Sequence, residues 1–207
     1  MSIAVTRPGG ACSMGDVGLV LLGLVLLAAC GGEPRFDVKP MQFNIDAASL
    51  GEPVSSPDLG IQFQPPIGWE PFPAAQVDSV GRALEWEETA VDLVPRYVFL
   101  HPTRGSVLSV ALLQREDSVT FEEQMAKYGQ VLARHVSGDS LRQGAFLKDD
   151  LHIQQFLLQP PGVVNFKLVL ESETNDLLQF DYVVPRQYYP AEIKAIESSI
   201  GSIRRLE

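Results

Sequence analysis

Apolar and polar positions alternate most cleanly in "LLQFDYVV" (177–184). Leu178, Phe180, Tyr182 and Val184 point one way and Gln179 and Asp181 the other, the period-two pattern of a strand. "LRQGAFLKD", "LHIQQFLLQ" and "VVNFKLVLES" read the same way, and turns such as "PPG" and "ETND" join these runs. Earlier in the chain, "RYVFL" and "SVLSVALLQ" flank "HPTRG", whose Pro and Gly make a loop between paired strands. Leu108, Val110 and Leu112 line one face of the second run, and Val107, Ala111 and Leu113 line the other. A strand apolar on both faces needs cover on both. "GIQFQPP" (60–66) alternates Ile61 and Phe63 with polar neighbours until its prolines end it, again a strand.

Three stretches change to a helical period. "PAAQVDSVGRALEW" (73–86) carries Pro73 near its first turn. Thr120 and Glu123 form a capping-box pattern, and Phe121, Met125, Tyr128, Leu132 and Val136 then make one apolar stripe that Gly138 stops. A last helix begins at Pro190 with Ile193, Ile196, Ile200 and Ile203 along one side. The order is β-α-ββ-α-ββββ-α, and short strand connections argue for antiparallel pairing. The expected fold class is α+β: an α/β/α sandwich whose central, mainly antiparallel sheet of about six to seven strands has helices on both faces, over residues 59–207. Residues 31–58 are rich in Gly, Pro and Ser with weak periodicity and read as a flexible tether, with one short strand at "MQFNI".

The apolar run before the tether is of another kind. Val17 to Cys30 spans only about 21 Å as a helix, short of a hydrocarbon core of roughly 30 Å. Arg7 supplies positive charge ahead of it, and Ala28 and Ala29 close it, which is the layout of a secretory signal over residues 1–29. A start at Met14 would remove Arg7 and leave Asp16 next to the run. Leu27-Ala28-Ala29-Cys30 resembles the bacterial lipobox, and that resemblance implies cleavage between Ala29 and Cys30, diacylglycerol on the Cys30 thiol and an acylated amino terminus. Several acyl chains, palmitate among them, would anchor the chain permanently, where one binds only marginally. Cys12 falls in the removed segment, so Cys30 is the only cysteine of the mature chain and no intramolecular disulfide can form. The expected location is the cell envelope, held through the lipid on Cys30. In a cell with two membranes, Gly31 after the cysteine implies the periplasmic face of the outer membrane.

"GIQFQPPIGWE" (60–70), a strand followed by Pro66-x-Gly68-Trp69, is similar to the opening of the PsbP-like family. The end is similar too, with "DYVVP" followed by a helix that closes on Ser202-Ile203. The family includes an extrinsic subunit of photosystem II, Ran-binding nuclear transport factors and bacterial secreted proteins and lipoproteins. The resemblance implies a binding module without shared catalytic residues, in which Pro66, Gly68 and Trp69 are fold residues.

Charge removes other classes of function. With 16 basic against 26 acidic residues, net −10, the chain lacks the basic stripe that nucleic acid requires. Gly138-Asp139-Ser140-Leu141 spells the nucleophile block of the GDSL esterases, and Asp149-Asp150-Leu151-His152 supplies a D-x-x-H. The esterases place their block early, after a parallel strand, and their D-x-x-H far downstream. Here Ser140 follows a helix, where Gly-Asp-Ser is ordinary turn chemistry, so no catalytic residue is expected. His101, His135 and His152 have no zinc-ligand spacing. Glu85, Glu87, Glu88 and Asp92 lack the spacing of a calcium loop, so neither metal nor other cofactor is expected. Trp69, Phe72 and Trp86 remain, either as a binding surface or as core plugs where the first helix meets the sheet. The leading expectation is a lipid-anchored, non-catalytic binding or assembly module for an unknown protein partner. The alternative is a carrier or sensor of a small apolar ligand.

Overall fold

Hairpin connections between apolar strands build the molecule. The computed structural model describes residues 38–73, 77, 93–116, 118–136, 140–172 and 176–206. Its long strands are β5 (Leu93–Leu100), β6 (Val107–Leu113), β7 (Leu141–Lys148), β8 (Leu151–Leu158), β9 (Val163–Glu171) and β10 (Leu177–Pro185). All pair antiparallel, in the spatial order β7-β8-β9-β10-β6-β5. Two short strands extend the edges. β1 (Lys39–Pro40) lies parallel to β7, and β4 (Glu70–Pro71) lies antiparallel to β5. The sheet therefore has eight strands, not six or seven, because two-residue edge pieces carry no periodicity to read. Pro95 sits in β5, whose register slips between Pro95 and Tyr97, a bulge of the kind that lets proline into a strand near a sheet edge.

The strand expected at "GIQFQPP" does form, as β3 (Ile61–Phe63), but outside the main sheet. It pairs with β2 (Val54–Ser56) and β11 (Arg204–Arg205) in a second, three-stranded sheet. Pro65 and Pro66 offer no N–H to lengthen the ladder, so β3 stays short and plugs Ile61 and Phe63 into the core from the side.

Helix α1 (Phe121–His135) carries the expected capping box. Thr120 Oγ1 accepts from the Glu123 amide at 3.2 Å, and Glu123 Oε2 accepts from the Thr120 amide at 3.0 Å. Phe121, Met125, Tyr128 and Leu132 bury against Leu113, Phe156, Leu158, Val169 and Leu177. The opposite face of the same strands presents Leu168, Leu170, Leu178, Phe180 and Tyr182, which pack with Ile196, Ile200 and Ile203 at the chain's end. Those isoleucines belong to α2 (Tyr189–Ser202) and the residue after it. That second face is thus covered by a helix together with the small sheet, whereas helices alone were expected. The fold is mixed α+β with two helices among the described residues. The helix expected over 73–86 and the stop at Gly138 lie outside them, save for Pro73, which is exposed, and Val77, which is buried.

Residues 38–58 do not run as a tether. Met41 continues β1 by donating its amide to Leu147 O at 2.8 Å, instead of opening a strand at "MQFNI". Phe43 packs its ring 5.7 Å from Phe146, and Leu50 is buried. The Asp46 amide donates to Ser198 Oγ at 3.1 Å. All of these elements belong to one compact unit, residues 36–207.

Candidate functional site

Of the three aromatic residues singled out as a binding surface, Trp69 is in the core. Gly68 takes a left-handed φ of +77°, which a residue without a Cβ adopts freely. The Trp69 amide donates to Pro66 O at 3.2 Å across this turn. The indole is thereby delivered inward, 5% exposed, with its ring 6.4 Å from that of Tyr182. The Tyr182 hydroxyl lies 2.9 Å from Ser199 Oγ, which donates in turn to Gln64 O. Burial pushes the Tyr182 phenol well above its ordinary range, although the Ser199 hydrogen bond pulls the other way. Phe72 is half-buried and donates its amide to Val98 O at 2.8 Å beside β4. Trp86 lies outside the described residues, as do Ala29 and Cys30 and the acidic group Glu85, Glu87, Glu88 and Asp92.

The serine and histidine of the esterase-like block are kept apart. Ser140 precedes Leu141, which pairs with Leu158, whereas His152 pairs with Leu147 six residues along the same strand. At about 3.4 Å per residue this is roughly 20 Å, far beyond the hydrogen bond a serine nucleophile requires of its base. Gly138 and Asp139 are outside the described residues. The His152 ring lies 5.1 Å from that of Phe121. Asp149 and Asp150 turn the β7–β8 hairpin, Asp149 with a φ of +53° and Asp150 in an ion pair with Arg205 at 2.8 Å. His101 Nδ1 accepts from the Thr103 amide at 3.4 Å, and His135 is in the last turn of α1. Among the described residues no three His, Cys, Asp or Glu side chains are grouped to hold a metal.

A polar row under α1 escaped the sequence reading. Lys167 of β9 pairs directly with Asp181 of β10, and Lys167 Nζ donates to Asp181 Oδ2 at 2.6 Å. Both are buried, 5% and 6% exposed. One pairing row along, the Tyr128 hydroxyl donates to Gln179 Oε1 at 2.7 Å. Burial alone disfavours the ammonium of Lys167, yet the Asp181 charge and hydrogen bond outweigh it and hold its pKa above the ordinary lysine value. Burial likewise raises that of Tyr128. Asp181 Oδ1, Gln154 Nε2 and Asn165 Oδ1 have no hydrogen-bond partner. The row pairs opposite charges within the core. Its only signal in the sequence was Asp181 and Gln179 at alternate positions of "LLQFDYVV", which read equally well as a solvated face.

Surface chemistry is concentrated elsewhere. Four large apolar side chains are exposed among the described residues: Met41, Ile45, Ile67 and Val94. Met41 and Ile45 lie between β1 and β2, and Ile67 lies between β3 and β4. The short 3-10 helix Ala47–Ser49 follows directly on Ile45, and the Ile67 amide donates to Ser49 O at 2.9 Å. Between them Asp46 accepts from the Ala48 amide and pairs with Lys194 at 2.7 Å. The Lys194 hydrogen bond and then the Ala48 amide hold the Asp46 carboxyl below the usual carboxylate range.

Comparison with known proteins bears on the fold. No family model and no curated protein matches the chain by sequence. Among solved structures, the solution structure of cyanobacterial PsbP (CyanoP) from Synechocystis sp. PCC 6803 is similar over 79% of this chain and 96% of that one, with a TM-score of 0.54 at 15% identity. A Bacteroides thetaiotaomicron protein covers 76% of this chain and 49% of its own, at 13% identity and a TM-score of 0.41. The chain has a PsbP-like fold.

Proposed function

We propose that the chain is a membrane-anchored lipoprotein, cut between Ala29 and Cys30 and acylated on Cys30. It displays its PsbP-like domain in the cell envelope as a non-catalytic binding or assembly module for a protein partner. In a cell with two membranes the domain stands on the periplasmic face of the outer membrane. The observation that carries this reading is the adjacency of its two parts. A run too short to span a bilayer ends at Cys30, and the first strand of a PsbP-like fold begins only nine residues on, at Lys39. The lipid confines the domain to a surface and raises its effective concentration near partners there.

Two measurements test it. Intact mass of the membrane-purified protein is expected to show acylated Cys30, and Cys30→Ser to release the chain from the membrane fraction; an unmodified thiol would end the anchoring reading. Crosslinking in living cells, followed by purification of the full-length protein and mass spectrometry, is expected to return one near-stoichiometric protein. A clean preparation would overturn the partner reading and turn the search to a small apolar ligand.

A further inference from the structure

From the position of Met41, Ile45 and Ile67 we infer that this domain rests on the bilayer that anchors it, with these three side chains against the lipid surface. The inference deepens the lipoprotein reading and depends on it.

Chain length makes the first part of the argument. A tether reaching to residue 58 would let the domain stand tens of ångströms from the membrane, but the fold already begins at Val38 and β1 at Lys39. From Cys30 to Val38 is eight residue steps, which span at most about 26 Å even when fully extended. Met41 follows only three residues later and Ile45 seven. The lipid therefore keeps this part of the domain within reach of the headgroups.

The chemistry of the corner makes the second part. Met41, Ile45 and Ile67 are 45%, 48% and 56% exposed, whereas Phe43 between the first two turns into the core beside Phe146. Asp46, next to Ile45, is paired with Lys194. The surface is also fixed in place: the Asp46 amide is tied to Ser198 of α2, and Ile67 to Ser49. Apolar side chains on such a surface enter the boundary between headgroups and acyl chains, about 5–10 Å deep. Three of them make only a weak contact, but a short linker supplies an effective concentration on the order of millimolar, so a weak contact is kept. The domain then presents the opposite side of its main sheet, with α1, to whatever approaches from the aqueous phase.

The test uses full-length, lipidated protein reconstituted into phosphatidylethanolamine–phosphatidylglycerol vesicles. Because acylation occupies Cys30, a second cysteine can be labelled selectively with an environment-sensitive fluorophore, in Met41→Cys, Ile45→Cys, Ile67→Cys and, as the distal control on α1, Lys127→Cys. Intact mass is taken first. With Cys30 acylated, labels at 41, 45 and 67 are expected to shift to the blue and lose severalfold in iodide quenching on vesicles relative to detergent, while the label at 127 is unchanged. Equal quenching at all four positions would overturn the docking and leave the lipoprotein reading standing. An unmodified Cys30 would overturn both.

Discussion

At the level of single residues, the buried Lys167–Asp181 pair is costly to disturb one partner at a time. Two charges there have exchanged water for each other, and removing one strands the other in a low-dielectric site. Asp181→Asn keeps the shape and leaves the Lys167 ammonium without its countercharge, so we expect a loss of about 3–5 kcal/mol in urea unfolding. The double replacement Lys167→Met with Asp181→Leu removes both charges, and most of that loss should return. A double variant as unstable as Asp181→Asn would mean that packing, not charge, decides the site. The same row, together with Tyr182 on the other face of the sheet, sets an alkaline limit. Lys167, Tyr128 and Tyr182 all have pKa values raised in the fold, so above about pH 10 the unfolded chain has released protons that the native state still binds. Stability is thus fully present below pH 10 and falls as pH rises toward the folded values. Unfolding midpoints that stay level up to pH 11 would contradict this.

At the level of elements, the glycines of the two helices separate cases that look alike in sequence. Ala in place of a helical Gly ordinarily stabilises by about 1 kcal/mol. A Cβ on Gly129 would meet the amide end of Gln143 at 2.8 Å, a flexible tip that can move aside. On Gly201 it would meet Phe43 Cβ at 2.7 Å and Ile45 Cγ1 at 2.9 Å, close to the backbone of a segment that the Asp46–Ser198 hydrogen bond ties to the same helix. We therefore expect Gly201→Ala to destabilise by about 1–3 kcal/mol through overpacking and to raise amide exchange at 41–46, with Gly129→Ala close to neutral. Thr120→Ala, which removes the N-cap of α1, should cost about 1 kcal/mol in the same unfolding assay. These contrasts show what the sequence made readable. α1, its cap and the four hairpin strands after it followed from local period and turn chemistry. The destination of β3 did not, because it depends on Pro65 and Pro66 denying it a longer ladder and on β2 and β11, which are too short to show a pattern. Ser198 and Ser199 carry no apolar signal, yet they are fully buried and bond to Asp46 and Gln64, partners more than a hundred residues away. The choice between binding surface and core plug for Trp69 turned on a similar non-local feature. Trp69 advertises itself by size, but the turn at Gly68 sends it inward, whereas Met41 and Ile45 were hidden in a stretch whose composition suggests a linker.

At the level of the whole molecule, the question is where the folding unit starts. Composition places the boundary near Leu59; the contacts place it before Val38. Residues 38–58 supply the β1 cover on the edge of β7, the Phe43 plug beside Phe146, buried Leu50, and β2 as the partner of β3. Without β2, β3 would keep only the two-residue β11 as a neighbour, and the core positions of Ile61 and Phe63 would lose their support. Full burial of a large apolar side chain contributes about 1.5–3 kcal/mol, so losing Leu50 and the half-buried Phe43 alone removes on the order of 3 kcal/mol. A domain of ordinary stability has only about 5–15 kcal/mol in total. A chain begun at Phe36 is therefore expected to unfold in urea in one cooperative transition, and a chain begun at Leu59 to melt far earlier or to be unfolded from the outset. Should the shorter chain unfold within about 1 kcal/mol of the longer, residues 38–58 would be an ornament on a complete domain and the tether would reach to residue 58 after all. The domain would then be free to stand away from the bilayer, so the same melting curves decide whether a short linker holds Met41 and Ile45 at the membrane.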